Sequence, residues 1–167
     1  MLSTQLAELL AGRPAGLDET FDLVAGFDDG LTGGLGRLDP RGTAALTDLA
    51  GALAGLAGSC AVPCRLEVDV AVRCAASVEA TAYFVVAEAL TNVAKHSGAG
   101  QVDVTVRRER GRLLVTVQDD GHGDADEARG SGLTGIRRRV EAYDGRMGLT
   151  SPPGGPTRMD VELPCGS

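Results

Sequence analysis

Apolar residues in the middle of the chain recur every three or four positions, which is the spacing of an amphipathic α-helix. Residues 77–96 contain neither Gly nor Pro, which also favours a helix. Their apolar stripe consists of Val78, Ala82, Val85, Ala89 and Val93. Because residues at these spacings lie on one face of a helix, we expect the stripe to pack into the protein core.

Other stretches with helical spacing are shorter. Residues 43–56 place leucines on one side, and residues 136–143 predict a short helix after a glycine-rich, polar segment. Residues 1–10 are compatible with a short amphipathic helix that ends at a Gly-Arg-Pro sequence. Residues 17–38 contain several glycines and predict no stable helix, since each Gly costs about 1 kcal/mol relative to Ala in a helix interior.

Alternation of apolar and polar residues predicts β-strands after the helix of residues 43–56. These strands are residues 64–70, 102–106, 113–117, 147–150 and 159–163. Arg110-Gly111 and Asp144-Gly145 supply turns. Hairpin-connected strands that follow helices predict an α+β fold, a two-layer sandwich with a mixed, mostly antiparallel sheet and helices on one face.

The length of 167 residues and the hydrophobic content of 43% suit one domain with an extension, which we place at residues 43–167 and 1–42. The formal net charge of −7 argues against binding to nucleic acid or to a membrane surface, since such proteins are normally basic. No apolar run has the length of a membrane span, and no leader peptide is recognisable. We therefore expect a soluble, cytoplasmic protein.

The cysteines are Cys60, Cys64, Cys74 and Cys165. They form no paired CxxC units, and the two histidines offer no ligand spacing around them, which argues against zinc. Without a secretory signal, we expect four free thiols that are buried or half-buried.

A row of polar side chains accompanies the apolar stripe of the helix predicted at residues 77–96. Glu88, Asn92 and His96 are four positions apart and so stack along one face, and Lys95 leans toward the same side. A carboxylate, a carboxamide, an ammonium and an imidazole together can form a catalytic surface. Taken alone, the row is more simply explained by an ordinary amphipathic helix with a solvated polar face.

Two glycine-bearing motifs follow this helix. DDGHG at residues 119–123 stands at the end of a predicted strand, and GSGLTG at residues 130–135 leads into a helix. Glycines at such places let backbone N–H groups approach an anion closely, and a helix N-terminus favours negative charge there. The second motif is neither a Walker P-loop, which needs a following GK[ST], nor a dinucleotide fingerprint, which needs a βαβ opening.

The order of these elements resembles the ATP-binding domain of sensor histidine kinases, which belongs to the superfamily shared with gyrase, heat-shock chaperone and mismatch-repair ATPases. EALTNVAKHSGA is similar to that family's N box, DDGHG to its G1 box and GSGLTGI to its G2 box. The amino-acid sequences of these boxes are most similar to those of the nitrate-sensor and desaturase-sensor branch of the sensor histidine kinases. The likeness covers about residues 43–164 and implies the two-layer Bergerat sandwich, with ATP and Mg²⁺ as ligands.

The resemblance also implies a role for each matching residue. Asn92 would coordinate Mg²⁺, and Glu88 would polarise groups at the γ-phosphate. Lys95 and His96 would lie along the phosphates. Asp119 would accept a hydrogen bond from the adenine amino group. The backbone beside the base and the phosphates would be formed by Gly121, Gly123, Gly130, Gly132, Leu133 and Gly135.

Residues 124–129 would form a short, mobile lid over this site. Asp120 is interpreted as a turn residue, and His122 as an exposed loop residue. The arginines at 137–139 are either phosphate ligands or a solvated helix face. The resemblance further predicts that Asn92, Asp119 and Gly132 border one shared cavity.

The family phosphorylates a histidine on a separate two-helix hairpin, so the resemblance implies such a dimerisation domain and a response regulator as partners. The two histidines of this chain, His96 and His122, both lie within the nucleotide-binding region. Residues 27–31 are weakly similar to the motif around the phosphorylated histidine, but Asp28 stands where that histidine would be. Residues 1–43 are also too few to form two long helices and the link between them. We expect ATP binding without complete autophosphorylation by this chain alone.

Three functions remain open on the sequence alone. They are the catalytic domain of a histidine kinase, a degenerate ATP-binding or interaction module without phosphotransfer, and a serine kinase of the anti-sigma type. The NxxKHSGA motif favours the histidine kinase over the anti-sigma type of serine kinase. The part played by residues 1–42 also stays open: they could pack on the open side of the sheet, pair two copies of the chain, or stay disordered.

Overall fold

The computed structural model describes residues 48–126 and 131–165. In chain order the helices are α1 (Leu49–Ser59), α2 (Ala76–Asn92) and α3 (Ser131–Ala142), and a π-helical turn, Val93–Ser97, continues α2. The strands are β1 (Cys64–Asp69), β2 (Val102–Glu109), β3 (Arg112–Asp119), β4 (Arg146–Thr150) and β5 (Thr157–Pro164). The helix predicted for residues 1–10 and the proposed boundary before residue 43 lie outside the described residues.

Within these ranges the strands form one sheet of five strands in the order β1-β2-β3-β5-β4. β1 and β2 are parallel, and the other neighbouring pairs are antiparallel. The parallel pair needs a long crossover, which α2 provides between β1 and β2. The predicted α+β fold with a mixed, mostly antiparallel sheet is confirmed.

One face of the sheet carries the core. Alternate residues of β2 and β3 are buried there, whereas the residues between them are half-buried or exposed. α2 packs on β3 and β5, while α1 packs on β1 and α3 on β4 and β5. The predicted apolar stripe of α2 is buried in this layer, from Val78 to Val93. Its burial confirms that the stripe faces the core.

α1 begins at Leu49, and the start predicted at residue 43 is wrong. Asp48 caps the helix, since its carboxylate accepts hydrogen bonds from the N–H groups of Ala50 (3.1 Å) and Gly51 (3.2 Å). A side chain in this position satisfies N–H groups that have no partner within the helix, and so it marks the first turn. The leucine side of α1 is buried, as its spacing predicts.

α2 has 17 residues, and neither it nor another helix of the described ranges is long and apolar enough to cross a membrane. The sequence predicts a regular α-helix through His96, which is wrong after Asn92, where the π turn begins. A π turn closes its hydrogen bonds over one more residue than an α turn, and His96 within it is exposed, whereas Asn92 before it is half-buried. Such turns are frequent at functional sites.

α3 begins at Ser131, well before the start predicted at Ile136. Gly132, Leu133 and Gly135 therefore lie within its first turns and not in a preceding loop. The two glycines lower the helical propensity of this segment, whereas Ile136 is fully buried and packs the helix onto the core. Tertiary packing here outweighs local propensity.

Cys74 and Cys165 are joined by a disulfide bond, so the expectation of four free thiols is wrong for this pair. Cys60 and Cys64 are free and half-buried, as expected. The bond connects the segment before α2 with the end of β5, where the N–H of Ala75 also donates to the carbonyl oxygen of Cys165 (3.1 Å). The sequence does not indicate this pairing because the two cysteines are 91 positions apart.

Candidate functional site

The end of α2 meets the beginning of α3 at two polar side chains. Glu88 and Asn92 are both half-buried there. A Cβ atom on Gly132 would lie 3.4 Å from Oδ1 of Asn92 and 3.5 Å from Oε2 of Glu88. The structure thus brings three of the predicted site residues together. The first turn of α3, whose N–H groups and dipole favour an anion, stands beside a carboxamide and a carboxylate.

Glu88 combines partial burial with two nearby cations. Burial raises the pKa of its carboxyl group, and the positive charges of Lys95 and Arg139 oppose part of that rise. Lys95 therefore lies close enough to Glu88 to act on its charge. A carboxyl group whose pKa is shifted by burial and by specific neighbours is typical of functional sites.

Lys95 and His96 belong to the π turn, and both are exposed. Lys95 keeps its electrostatic effect on Glu88. The predicted four-residue polar face is therefore split between a half-buried pair and an exposed pair.

Asp119 is the last residue of β3 and is only 5% exposed. It shares the helix-covered face of the sheet with Val115 and Val117. Its Oδ1 accepts a hydrogen bond from the N–H of Gly121 at 2.8 Å. Because one carboxylate oxygen is held by the backbone, the other has a fixed direction from which it can accept from a ligand donor.

Two glycines of the DDGHG loop (residues 119–123) are required by close backbone contacts. A Cβ atom on Gly121 would overlap the carbonyl oxygen of Ser97, which also accepts from the N–H of His122 at 3.0 Å. Gly123 has a φ of 68°, and a Cβ atom there would overlap the carbonyl oxygen of Pro152. The DDGHG loop therefore lies between the π turn and the β4–β5 connection, where only glycine fits.

A cavity of about 450 Å³ opens at this end of the sheet. Its lining includes Asp119, Asp120 and Gly121, together with residues of β2 and β3 and the β4–β5 connection. Neither Asn92 nor Gly132 is among its lining residues. This cavity therefore does not join all three patches, and a cavity shared by Asn92, Asp119 and Gly132 stays a prediction. Instead, Gly132 packs directly on Asn92, and Gly121 packs on the π turn that follows Asn92.

Part of the predicted lid, residues 127–129, and Gly130 lie outside the described residues. The beginning of the lid is attached to the β4–β5 connection through Ser151. The N–H of Asp124 donates to the carbonyl oxygen of Ser151 (3.3 Å), and the N–H of Ala125 donates to its Oγ (2.9 Å). Sequence reasoning missed Ser151, since nothing near it distinguishes it from an ordinary turn residue.

Asp120 makes contacts of much longer range than a turn residue. Its Oδ1 accepts hydrogen bonds from the N–H groups of Gly100 (2.8 Å) and Gln101 (2.9 Å), which lie between the π turn and β2. The interpretation of Asp120 as a turn residue only is therefore wrong. His122 is exposed, as expected.

Two of the arginines at 137–139 are packed against protein groups. Arg137 donates to the carbonyl oxygen of Met147 at 3.1 Å, and the guanidinium of Arg139 stands 4.0 Å from the ring centroid of Phe84. A purely solvated helix face is therefore wrong for these two residues. The sequence could not indicate that Arg139 lies near Glu88, because the two residues belong to different helices.

The donors at the end of α2 fit a hard cation. Mg²⁺ takes oxygen ligands, and in nucleotide sites it uses one or two protein groups beside phosphates and water. Within residues 48–126 and 131–165, no group of three or more His, Cys, Asp or Glu could hold a metal ion. A Mg²⁺ ion at Asn92 would therefore need further ligands from bound phosphates and water.

Comparison with known proteins assigns the chain to a class. Residues 77–167 match the family described as histidine kinase-, DNA gyrase B-, and HSP90-like ATPase. The match spans more than half of the chain and includes Asn92, Asp119 and Gly132, so the chain belongs to this family.

Relatives within the family include several sensor histidine kinases. YxjM of Bacillus subtilis is 30% identical over 88 residues, which are 53% of this chain and 22% of that protein. The histidine-protein kinase/phosphatase UhpB of Salmonella typhimurium is 36% identical over 90 residues, 53% of this chain and 18% of that protein. DesK of Bacillus subtilis is 34% identical over 83 residues, 48% and 22% of the two chains. The chain spans about a fifth of the length of these relatives.

A solved structure shares the fold. The histidine kinase domain of the blue-light activated histidine kinase from Erythrobacter litoralis EL346 superimposes with a TM-score of 0.58 at 21% identity. The alignment covers 70% of this chain and 59% of that one. This likeness supports the fold alone. The family match and the sensor kinase relatives confirm the resemblance found in the sequence, and residues 77–167 are a histidine kinase-, DNA gyrase B- and HSP90-like ATPase domain.

Proposed function

We propose that this domain binds Mg·ATP between the end of α2, the DDGHG loop and the beginning of α3, and presents it for phosphoryl transfer to a histidine on a separate two-helix hairpin. The observation that carries the proposal is the approach of Gly132 to Asn92 and Glu88. A helix N-terminus beside a carboxamide oxygen suits a phosphate chain together with its metal ion.

On the phosphate side, Asn92 coordinates Mg²⁺ through its carboxamide oxygen. Glu88 orients the groups around the γ-phosphate, and its proximity to Lys95 supports a position near that charge. Lys95 and His96 approach the phosphates from the exposed side of the site. Transfer of a phosphoryl group depends mainly on such positioning and charge neutralisation, for which these residues provide the means.

On the base side, Asp119 selects adenine. Its buried carboxylate accepts from the exocyclic amine of adenine, whereas guanine presents a carbonyl oxygen at the equivalent place and leaves that carboxylate without a donor. Gly121 and Gly123 let the loop pass close to the base. Amides of Gly132 and Leu133 in the first turn of α3 face the phosphates, and Gly135 leaves room beside them because it has no side chain. Gly130, which lies outside the described residues, keeps the phosphate-binding role that the motif predicts.

The partners follow from membership of the family. The phosphorylated histidine belongs to a dimerisation hairpin, and a response regulator receives the phosphoryl group from it. The supply of ATP locates the reaction in the cytoplasm.

Phosphoryl transfer is tested with γ-labelled ATP, Mg²⁺ and purified histidine hairpins taken from the relatives named above. We expect the parent chain to label a hairpin on histidine, and Glu88→Gln to label it much less. Glu67→Gln, at an exposed position of β1, makes the same chemical change away from the site and should behave like the parent. Binding of ATP without labelling would favour a degenerate module, and labelling on serine would favour the anti-sigma type of kinase.

A further inference from the structure

We infer that Asp120 is a positioning residue for the nucleotide site: it fixes the base-selecting Asp119 to the chain segment that leaves the π turn. This inference rests on the proposed function. It assigns a role to a side chain that touches neither base nor phosphate in that proposal, and whose effect passes through its neighbour.

Three hydrogen bonds join Asp120 to the two residues that precede β2. Its Oδ1 accepts from the N–H groups of Gly100 at 2.8 Å and Gln101 at 2.9 Å. In the opposite direction, its own N–H donates to the carbonyl oxygen of Gln101 at 3.2 Å. A single carboxylate oxygen that accepts two backbone N–H groups forms a charge-assisted pair of bonds, which are stronger than neutral ones. The two segments are thereby held in one register.

The adjoining residues make the same junction tighter. The carbonyl oxygen of Ser97 touches the backbone at Gly121 and accepts from the N–H of His122 at 3.0 Å. Ser97 is itself buried, and its Oγ donates to the carbonyl oxygen of Val93 in the π turn at 2.7 Å. The loop that carries Asp119 is therefore bound directly to the turn that follows Asn92.

The consequence concerns the position of the Asp119 carboxylate. Its Oδ1 is held by the N–H of Gly121, so its direction depends on where the backbone of residues 119–121 lies. Asp120 sets that position relative to the end of α2. Loss of the Asp120 side chain therefore displaces the base-selecting carboxylate from the phosphate-binding residues, and a binding site held loosely by its supporting contacts loses affinity and selectivity.

Titration calorimetry with ADP, Mg·ATP and Mg·GTP compares the parent chain with Asp120→Ala, Asp120→Ser and Asp120→Asn. Serine keeps a turn-forming polar residue but is too short to reach both N–H groups, which guards against a variant that fails to fold. Asparagine keeps an acceptor oxygen at the same place. Asp69→Ala, which removes an exposed aspartate at the end of β1, is the control for the change in net charge. Thermal unfolding of each variant reports on the fold.

We expect Asp120→Ala and Asp120→Ser to bind ADP and Mg·ATP about tenfold more weakly, and to discriminate less between ATP and GTP. Asp120→Asn should stay within about threefold of the parent, since its amide oxygen accepts the same two bonds. Equal affinities and an equal ATP-to-GTP ratio in the parent, Asp69→Ala and Asp120→Ala would overturn the inference, as would an asparagine variant as weak as alanine. A parent chain that binds no nucleotide would instead overturn the proposed function.

Discussion

Gly132 and Asn92 are in contact across the junction of two helices: a Cβ atom on the glycine would lie 3.4 Å from the carboxamide oxygen of the asparagine. A methyl group added at Gly132 would therefore reach both the carboxamide of Asn92 and the carboxylate of Glu88. A ligand bound at this junction would contact the N-terminus of α3 and the carboxamide of Asn92 together.

Gly132→Ala should weaken nucleotide binding while leaving the fold intact. Gly132 lies inside a helix, where Ala is favoured over Gly by about 0.5–1 kcal/mol, so thermal unfolding should be unchanged or slightly raised. The added methyl group occupies the approach to Asn92 and Glu88, and we expect Mg·ATP affinity to fall about tenfold. Calorimetry measures the loss.

Gly55→Ala is the matched control for this variant. It adds the same methyl group in α1, where nothing lies within 4 Å of the new Cβ atom. We expect raised stability and the affinity of the parent. An affinity for Mg·ATP that is the same in both alanine variants would contradict a phosphate position beside Gly132.

Glu88→Gln should change how stability depends on pH. Burial raises the pKa of Glu88 in the folded protein, so the folded state binds this proton more readily than the unfolded chain does. The contribution of Glu88 to stability is therefore complete below its unfolded pKa of about 4.3 and is lost as pH rises through the higher folded pKa. Relative to Glu88→Gln, the parent should lose stability between acid and neutral pH.

Urea unfolding of both proteins at several pH values measures this difference. We expect less than about 1 kcal/mol, because solvent screens a half-exposed carboxyl group. Glu67→Gln, at an exposed position, should show no such trend. A parent that gains stability relative to Glu88→Gln as pH rises would show that its cationic neighbours, and not burial, dominate.

The bond between Cys74 and Cys165 should stabilise the purified, oxidised domain. It closes a loop with a sequence separation of 91, and loops of about this length give roughly 2–5 kcal/mol when closed. We expect the melting temperature to fall by several degrees on adding a thiol reductant, and in Cys74→Ser without reductant.

Cys60→Ser is the control, because Cys60 is a free thiol in the same domain. This variant should keep both the melting temperature of the parent and its response to reductant. A Cys74→Ser protein with the stability of the oxidised parent would contradict a stabilising bond.

The fold could be predicted where the pattern is local. Strict alternation in β2 and β3 identifies their buried faces, and the spacing of Val78 through Val93 identifies the buried side of α2. The beginning of α3 could not be predicted, because the propensity of Gly132 and Gly135 opposes the packing of the helix that contains them. The disulfide bond depends on two segments that meet only in the folded chain.

In the candidate site, too, features set by local sequence could be predicted, whereas features set by tertiary contacts could not. Motif spacing selected Asn92, Asp119 and Gly132, and the structure places Gly132 against Asn92. The contacts of Asp120 with Gly100 and Gln101 could not be predicted, because these residues are about twenty positions apart in sequence and meet only in the folded chain.

The central claim is that the end of α2, the DDGHG loop and the beginning of α3 hold one Mg·ATP. The most direct measurement is calorimetric titration of ATP into the parent, Asn92→Ala and Asp119→Asn, with and without Mg²⁺ at equal ionic strength. We expect the parent to bind ATP more tightly with Mg²⁺, Asn92→Ala to lose at least about tenfold of that affinity only when Mg²⁺ is present, and Asp119→Asn to lose affinity in both conditions. A parent that binds no ATP, or an Asn92→Ala variant with the Mg²⁺ response of the parent, would contradict the account.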